Sequence, residues 1–247
     1  MRSSLRALFG LALFFLLWEA VPQLGLLTPI LLPPPSSLPA AFLRELKSGA
    51  LPAALSNSLS HYAIGLLIGV VLGLAVGVLA GLFKPLDETL SWVVRVLRPI
   101  PGLAWVPFAI IWFGVSTAGA IFIIAIGVFW IEFFAALAAV QGVERDQIEL
   151  ARAFGFGGWR QRLVKVVLPA ATPGILAGIR TSLGQAWMAV VAAELFGVPG
   201  LGQRMMQASS LLATDLVLVY MLTIAAMYGM TDVVFNRVSK ALLAYRA

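Results

Sequence analysis

The sequence predicts an all-α, polytopic membrane protein, and three observations carry that prediction. The chain of 247 residues is 61% hydrophobic and only 11% charged, whereas soluble domains carry about 25% charged residues. Apolar runs of about twenty residues, the length that crosses a hydrocarbon core as a helix, recur along the chain. Those runs are continuous rather than alternating, which excludes a transmembrane β-barrel. The absence of cysteine removes disulfides, thiolate metal sites and cysteine nucleophiles together. The net charge of +6 fits the excess of Lys and Arg in inner loops of membrane proteins. It does not point to nucleic acid, because no basic stripe is interleaved with exposed aromatics.

Six spans are expected. Arg2 and Arg6 precede an apolar run over residues 7–27. A basic start before an oily core also describes a signal peptide. No small-x-small cleavage site follows, however, and Trp18-Glu19 interrupts the run, so it reads as an uncleaved first span. Pro33-Pro34-Pro35-Ser36-Ser37 then forbids helix, since each proline lacks an N–H and clashes with the preceding turn. Residues 28–56 are therefore an extended connection followed by a short interfacial helix near residues 40–47.

The second span covers about residues 58–83 and holds Gly65, Gly69, Gly73, Gly77 and Gly81, each four residues from the last. Positions four apart drift by about 40° around a helix, so the glycines wind slowly along one face. Small residues in this pattern let another helix approach closely, and a sliding surface is compatible with the same pattern. The third hydrophobic segment, about 89–114, is broken by Arg95, Arg98 and Pro99-Ile100-Pro101-Gly102. The fourth, about 118–140, contains Trp130 and Glu132. The fifth, about 171–195, contains Arg180, Gln185, Trp187 and Glu194, and the sixth covers about 211–235. With an inner N-terminus the outer loops hold only Arg44, Lys47 and Arg204 of the 17 basic residues. That asymmetry sets the orientation and leaves both termini and residues 144–169 on the inner side.

Residues 144–169 are the longest polar island, with Arg145, Arg152, Arg160, Arg162 and Lys165. Asp146-Gln147-Ile148-Glu149 has the form of a capping box, in which Asp146 accepts from the first free N–H groups and Glu149 reaches back. Both acids also favour the positive end of the helix dipole. A helix over 147–154 should stop at Gly155, as glycine takes the left-handed conformation of a helix end. Ile148, Ala151 and Phe154 line one face. Such a helix suits docking into a groove of another protein, and it equally suits lying on an anionic lipid surface.

Glu149-Leu150-Ala151, Gly155 and Leu168-Pro169 resemble the EAA loop of permease subunits of ATP-binding cassette importers. The resemblance runs over about residues 30–240. Pro34-Pro35-Ser36, Leu97-Arg98-Pro99-Ile100-Pro101, Ala104-Trp105-Val106-Pro107, Trp112-Phe113-Gly114, Gly178-Ile179-Arg180 and Ala186-Trp187 are similar to the branch importing sulfonates, taurine, nitrate or bicarbonate. The resemblance implies a type I importer permease fold of six helices in a bacterial cytoplasmic (inner) membrane. Residues 1–56 would form a first helix and periplasmic connection, and 57–247 a permease core with a coupling loop at 144–169. It implies two permease subunits, a homodimer being the expected arrangement, and two separate ATPases that carry ATP and Mg. It also implies a periplasmic solute-binding protein. Asp146, Glu149, Ala151, Arg152, Phe154 and Gly155 would then couple to the ATPase without being catalytic. The chain has no phosphate-binding Gly-x-x-x-x-Gly-Lys-Ser/Thr loop of its own. It departs from the family at Leu150, at His61 where relatives often have Arg, and at Glu132, usually apolar. One extra residue lies between Gly155 and Pro169, and a different turn at Gly157-Gly158 is expected to take it up.

Glu132 is costly inside a membrane unless paired or facing water. A pair with Arg180, Arg95 or Arg98 is expected, and pathway lining by Glu132 with Trp130 is the other reading. Arg180, Gln185 and Trp187 are further pathway candidates, with Arg180 expected near the inner end of its helix. His61 is expected as a satisfied interfacial residue at the outer mouth. No His/Asp/Glu cluster has metal spacing, and no nucleophile–base pair is visible, so neither a metal, a bound cofactor nor a catalytic residue is assigned to the chain. An ion-coupled secondary transporter with Glu132 as proton carrier is the competing function. It would call for an inverted repeat, and none is visible.

Overall fold

The computed structural model describes residues 2–97, 99–143, 149, 153 and 158–243. Every regular element among them is helical. Those of eight residues or more are α1 (Arg2–Gln23), α2 (Leu38–Lys47), α3 (Ala50–Leu82), α4 (Lys84–Leu97), α5 (Val106–Phe113) and α6 (Thr117–Gln141), then α7 (Leu168–Glu194), α8 (Leu201–Ser210) and α9 (Thr214–Leu242), and a single helical turn lies at Trp159–Arg162. Short 3-10 turns at Pro35–Ser37 and Gly102–Trp105 precede α2 and α5, and Leu163–Val167 forms a π-turn ahead of α7. Among the described residues four helices are long and apolar enough to cross a membrane: α3, α6, the continuous run Leu163–Glu194, and α9. The pair Lys84–Leu97 and Gly102–Phe113, bent by 87°, forms a fifth broken span, and α1 contributes a shorter apolar stretch, Leu8–Gln23. The proline and glycine residues at 99–102 account for the break, because neither sustains a helix interior.

The chain divides into two compact units. Unit 1 comprises Met1–Ser58 with Pro199–Ala226. Its connection is pinned by polar contacts. The Trp18 indole Nε1 donates to the Pro33 carbonyl at 3.1 Å, and the Glu19 carboxylate accepts from the Ser36 amide (3.0 Å) and hydroxyl (2.8 Å). A proline run has no N–H groups to offer, so side chains of α1 take over the role a helix ladder would play. α2 buries Leu38, Ala41 and Glu45. The Glu45 carboxylate accepts from Arg204 Nη2 at 3.1 Å and from the Tyr220 hydroxyl, joining α2, α8 and α9. Ser58 Oγ accepts the Leu201 amide at 2.9 Å, at the first residue of α8.

Unit 2 comprises Leu59–Val198 with Met227–Ala247. Its centre is the contact of α3, α6 and α7. Ile124, Val128, Glu132 and Ala136 are fully buried on α6, as are Ala186 and Val190 on α7. Two turns depend on glycine. Gly114, which ends α5, has φ +68°, and Gly197, which follows α7, has φ +104°, a region that a Cβ disfavours. Ser116 opens α6 as its N-cap, its hydroxyl accepting the Gly119 amide at 3.2 Å.

Candidate functional site

The glycines of α3 meet a matching row on α6. A methyl group added to Gly65 would lie 2.7 Å from Ile124 Cβ, on Gly69 2.6 Å from Val128 Cβ, and on Gly81 2.8 Å from Val140 Cβ. On Gly73 it would lie 2.6 Å from the Phe129 carbonyl oxygen and 2.9 Å from Glu132 Cβ, and on Gly77 2.5 Å from the Phe133 carbonyl oxygen. Both rows advance by four and in the same direction, so α3 and α6 run parallel in backbone contact. At each of the five positions a side chain would meet α6, and small residues let helices approach in this way.

Glu132 hangs from this seam and is completely buried. Its Oε2 sits above Gly178 of α7, where a methyl group would come within 3.0 Å of it. Neither carboxylate oxygen has a hydrogen-bond partner among the described residues. Among the described residues no arginine forms the expected pair. Arg180 bonds to Asp232 instead, and Arg95 lies over the Trp92 ring at 5.3 Å. Arg98 lies outside the described residues. The helical repeat explains the miss: Gly178 faces Glu132, and two residues further on α7 has turned by about 200°. Arg180 therefore points to the other side.

That other side carries a polar cluster. Arg180 Nε and Nη2 donate to Asp232 Oδ1 (3.0 Å) and Oδ2 (3.3 Å), and Asn236 Nδ2 donates to Asp232 Oδ2 at 2.8 Å. The Arg180 side chain is 55% exposed in the single chain. Arg180 stands twelve residues after Leu168 and fourteen before Glu194, so it occupies the middle of α7. The fifth span is expected to begin at about residue 171, and the helix begins earlier. The π-turn Leu163–Val167 runs into α7 without a break and lengthens the continuous span to 32 residues. That π-turn lies in the stretch before Pro169 where one extra residue is expected. A π-turn accommodates one more residue than an α-turn, and Pro169 has no N–H to keep the α pattern.

Trp187 is buried and stacks on Tyr62, ring centroids 4.5 Å apart, while Gln185 is half-buried on α7. Trp130 belongs to an aromatic cluster with Phe129, Phe133 and Phe134. In this chain both tryptophans pack.

His61 is buried rather than interfacial, only 2% exposed. Its Nδ1 lies 2.9 Å from Glu194 Oε1 and its Nε2 3.4 Å from Thr117 Oγ1. Three helices meet there, α3, the first residue of α6 and the last of α7. Sequence reasoning did not join His61 to Glu194. The usable signal was a carboxylate at the end of the fifth apolar run, a residue type that is buried only when paired.

In the polar island, Glu149 and Ala153 are helical and exposed. Asp146, Ala151, Arg152, Phe154 and Gly155 lie outside the described residues. Among the described residues no group of three or more His, Asp or Glu could hold a metal ion.

Residues 65–244 match the family described as the inner membrane component of binding-protein-dependent transport systems. The chain is 35% identical over 236 residues to a Bacillus subtilis protein named as an aliphatic sulfonates transport permease, covering 95% of this chain and 85% of that protein. It is 32% identical over 221 residues to the taurine transport system permease protein of Escherichia coli K12, covering 87% and 80%. A solved structure of the MetNI methionine ABC transporter in an inward-facing conformation has a chain that superposes with a TM-score of 0.68 at 24% identity. That likeness covers 80% of this chain and 98% of the other.

Proposed function

From a chain that belongs to the family of inner membrane components of binding-protein-dependent transport systems, we propose a permease subunit that forms the pathway for a small anionic solute, powered by separate ATPases. Near full-length likeness to the permeases named for aliphatic sulfonates and taurine supports the class. The observation that carries the anionic substrate is Arg180, a half-exposed guanidinium in the middle of an apolar span. A cation facing hydrocarbon at that depth costs about 2.5–3.5 kcal/mol, so the face it occupies is wet. A sulfonate, nitrate or bicarbonate is the chemistry such a face attracts.

In this reading a periplasmic binding protein delivers the solute, two permease copies line the path, and two ATPases bind ATP and Mg in the cytoplasm. Both termini are cytoplasmic. Asp146, Glu149, Ala151, Arg152, Phe154 and Gly155 form the helix that receives ATPase motion. The chain itself carries no catalytic residue and binds no cofactor. Reconstitution tests this directly. Proteoliposomes holding the permease pair with its ATPases and binding protein should take up labelled taurine or ethanesulfonate only with ATP inside the compartment facing the ATPases. Uptake by this chain alone, driven by a proton gradient, would overturn it in favour of a secondary transporter with Glu132 as proton carrier.

A further inference from the structure

The outward faces of the α3–α6 pair are apolar: Ile64, Ile68, Leu72, Ile121, Phe122 and Phe129 line a cavity of about 480 Å³ with almost no polar surface. The α7–α9 face is different. Tyr228, Asp232 and Asn236 follow one another at four-residue steps along α9, a single helical stripe. They meet Arg180 and Gly184 of α7, where a methyl group on Gly184 would touch Tyr228 Cε2 at 3.4 Å. Thr181, beside Arg180, is exposed, and Tyr228 is 42% exposed.

The guanidinium is engaged on one side only. Nε and Nη2 hold the two Asp232 oxygens at 3.0 and 3.3 Å, using two of its five N–H groups. Nη1 and the second hydrogen of Nη2 have no partner among the described residues. Together they form a second two-donor edge, the geometry that grips a carboxylate or sulfonate oxygen pair. Asp232 is fixed in turn by Asn236 at 2.8 Å, so the counter-ion belongs to the framework.

We propose that Arg180 and Asp232 form a charge-compensated oxyanion subsite in the translocation pathway, with Asp232 a resident counter-ion that holds affinity for the passing anion low. The inference rests on the permease reading and deepens it. A bare arginine would attract an anion and retain it. A compensated one offers directed donors with no net positive charge, and passage requires binding weak enough to release.

The lack of cysteine permits a test that needs no knowledge of the natural solute. Thr181→Cys, in proteoliposomes with the ATPase partners, is treated with sulfonatoethyl methanethiosulfonate, an anion, and with trimethylammonioethyl methanethiosulfonate, a cation. Both reagents should react from water, the anion faster. Adding Asp232→Asn should raise the anion-to-cation rate ratio about tenfold, and Arg180→Gln should lower it by about as much, as expected for removal of one charge a few ångströms away. Arg180→Lys, which keeps the charge, should leave the ratio near that of the parent, and gel filtration checks that each variant is folded. A purely structural ion pair would bias the ratio through its charges alone, so protection separates the two: taurine or ethanesulfonate should slow the anionic reagent in Thr181→Cys and lose that effect when Arg180→Gln is added, and no protection in the parent overturns the subsite. No reaction with either reagent, or a ratio unmoved by both charge removals, overturns the subsite. In the complete complex Asp232→Asn should also lower the taurine or ethanesulfonate concentration giving half-maximal ATP hydrolysis. If the parent complex shows no stimulated hydrolysis while the reagent ratio responds as stated, the permease reading falls and the subsite stands.

Discussion

His61 and Glu194 face each other at 2.9 Å inside the α3–α6–α7 contact, their side chains only 3% and 0% exposed. The two residues are 133 positions apart in sequence, and Thr117 caps the arrangement from α6. A polar pair so thoroughly removed from water holds three helices at one level, because any other alignment leaves one group without its partner.

Removing either residue takes from the other its buried counterpart at 2.9 Å. His61→Ala or Glu194→Ala should each destabilise the protein by about 3–5 kcal/mol, the range for breaking a buried pair. The double variant should cost clearly less than the sum of the two. Thermal unfolding in detergent across the double-mutant cycle measures this, and additive losses would show that the two side chains do not interact.

The glycine seam makes a positional prediction. Gly73→Ala and Gly77→Ala place a methyl group within 2.6 and 2.5 Å of backbone oxygens of α6. Backbone cannot swing aside as a side chain can, so each should cost about 1–3 kcal/mol through overpacking. Gly127→Ala, on α6 with nothing within 4 Å, should be neutral or slightly stabilising. Equal thermal shifts at positions 73 and 127 would contradict the seam.

Glu132 offers the opposite case. An unpartnered buried carboxyl earns no stability from its polar atoms, and replacing such groups by apolar ones of similar volume is often neutral or stabilising by about 1–4 kcal/mol. Glu132→Leu should therefore match or exceed the parent in thermal stability, and ATP-driven uptake should persist in Glu132→Gln. Loss of all uptake in the glutamine variant, with the complex intact, would instead assign the carboxyl a role in transport.

The loop at residues 144–169 is tested by function rather than by stability. Glu149→Ala and Gly155→Leu should leave the chain inserted and assembled while ATP hydrolysis no longer responds to the loaded binding protein. Measuring hydrolysis and uptake on the same vesicles separates uncoupling from misassembly. Normal coupling in both variants would remove the docking role from this segment.

The helical class, the glycine face and the apolar runs were legible in the sequence, because they depend on periodicity and length, which are local. Composition and the Glu149–Ala151, Gly155 and Leu168-Pro169 pattern carried the family, which the comparisons establish. Spacing raised the expectation of an extra residue before Pro169 and did not locate the π-turn at Leu163–Val167. Only the tertiary structure decided the partners of the polar side chains. Which way Arg180 points depends on where α7 starts and on how it meets α6, and a shift of two residues turns a helical side chain by about 200°. Arg180 therefore joins Asp232 rather than Glu132, and His61 joins Glu194, through contacts between distant helices that no local pattern encodes.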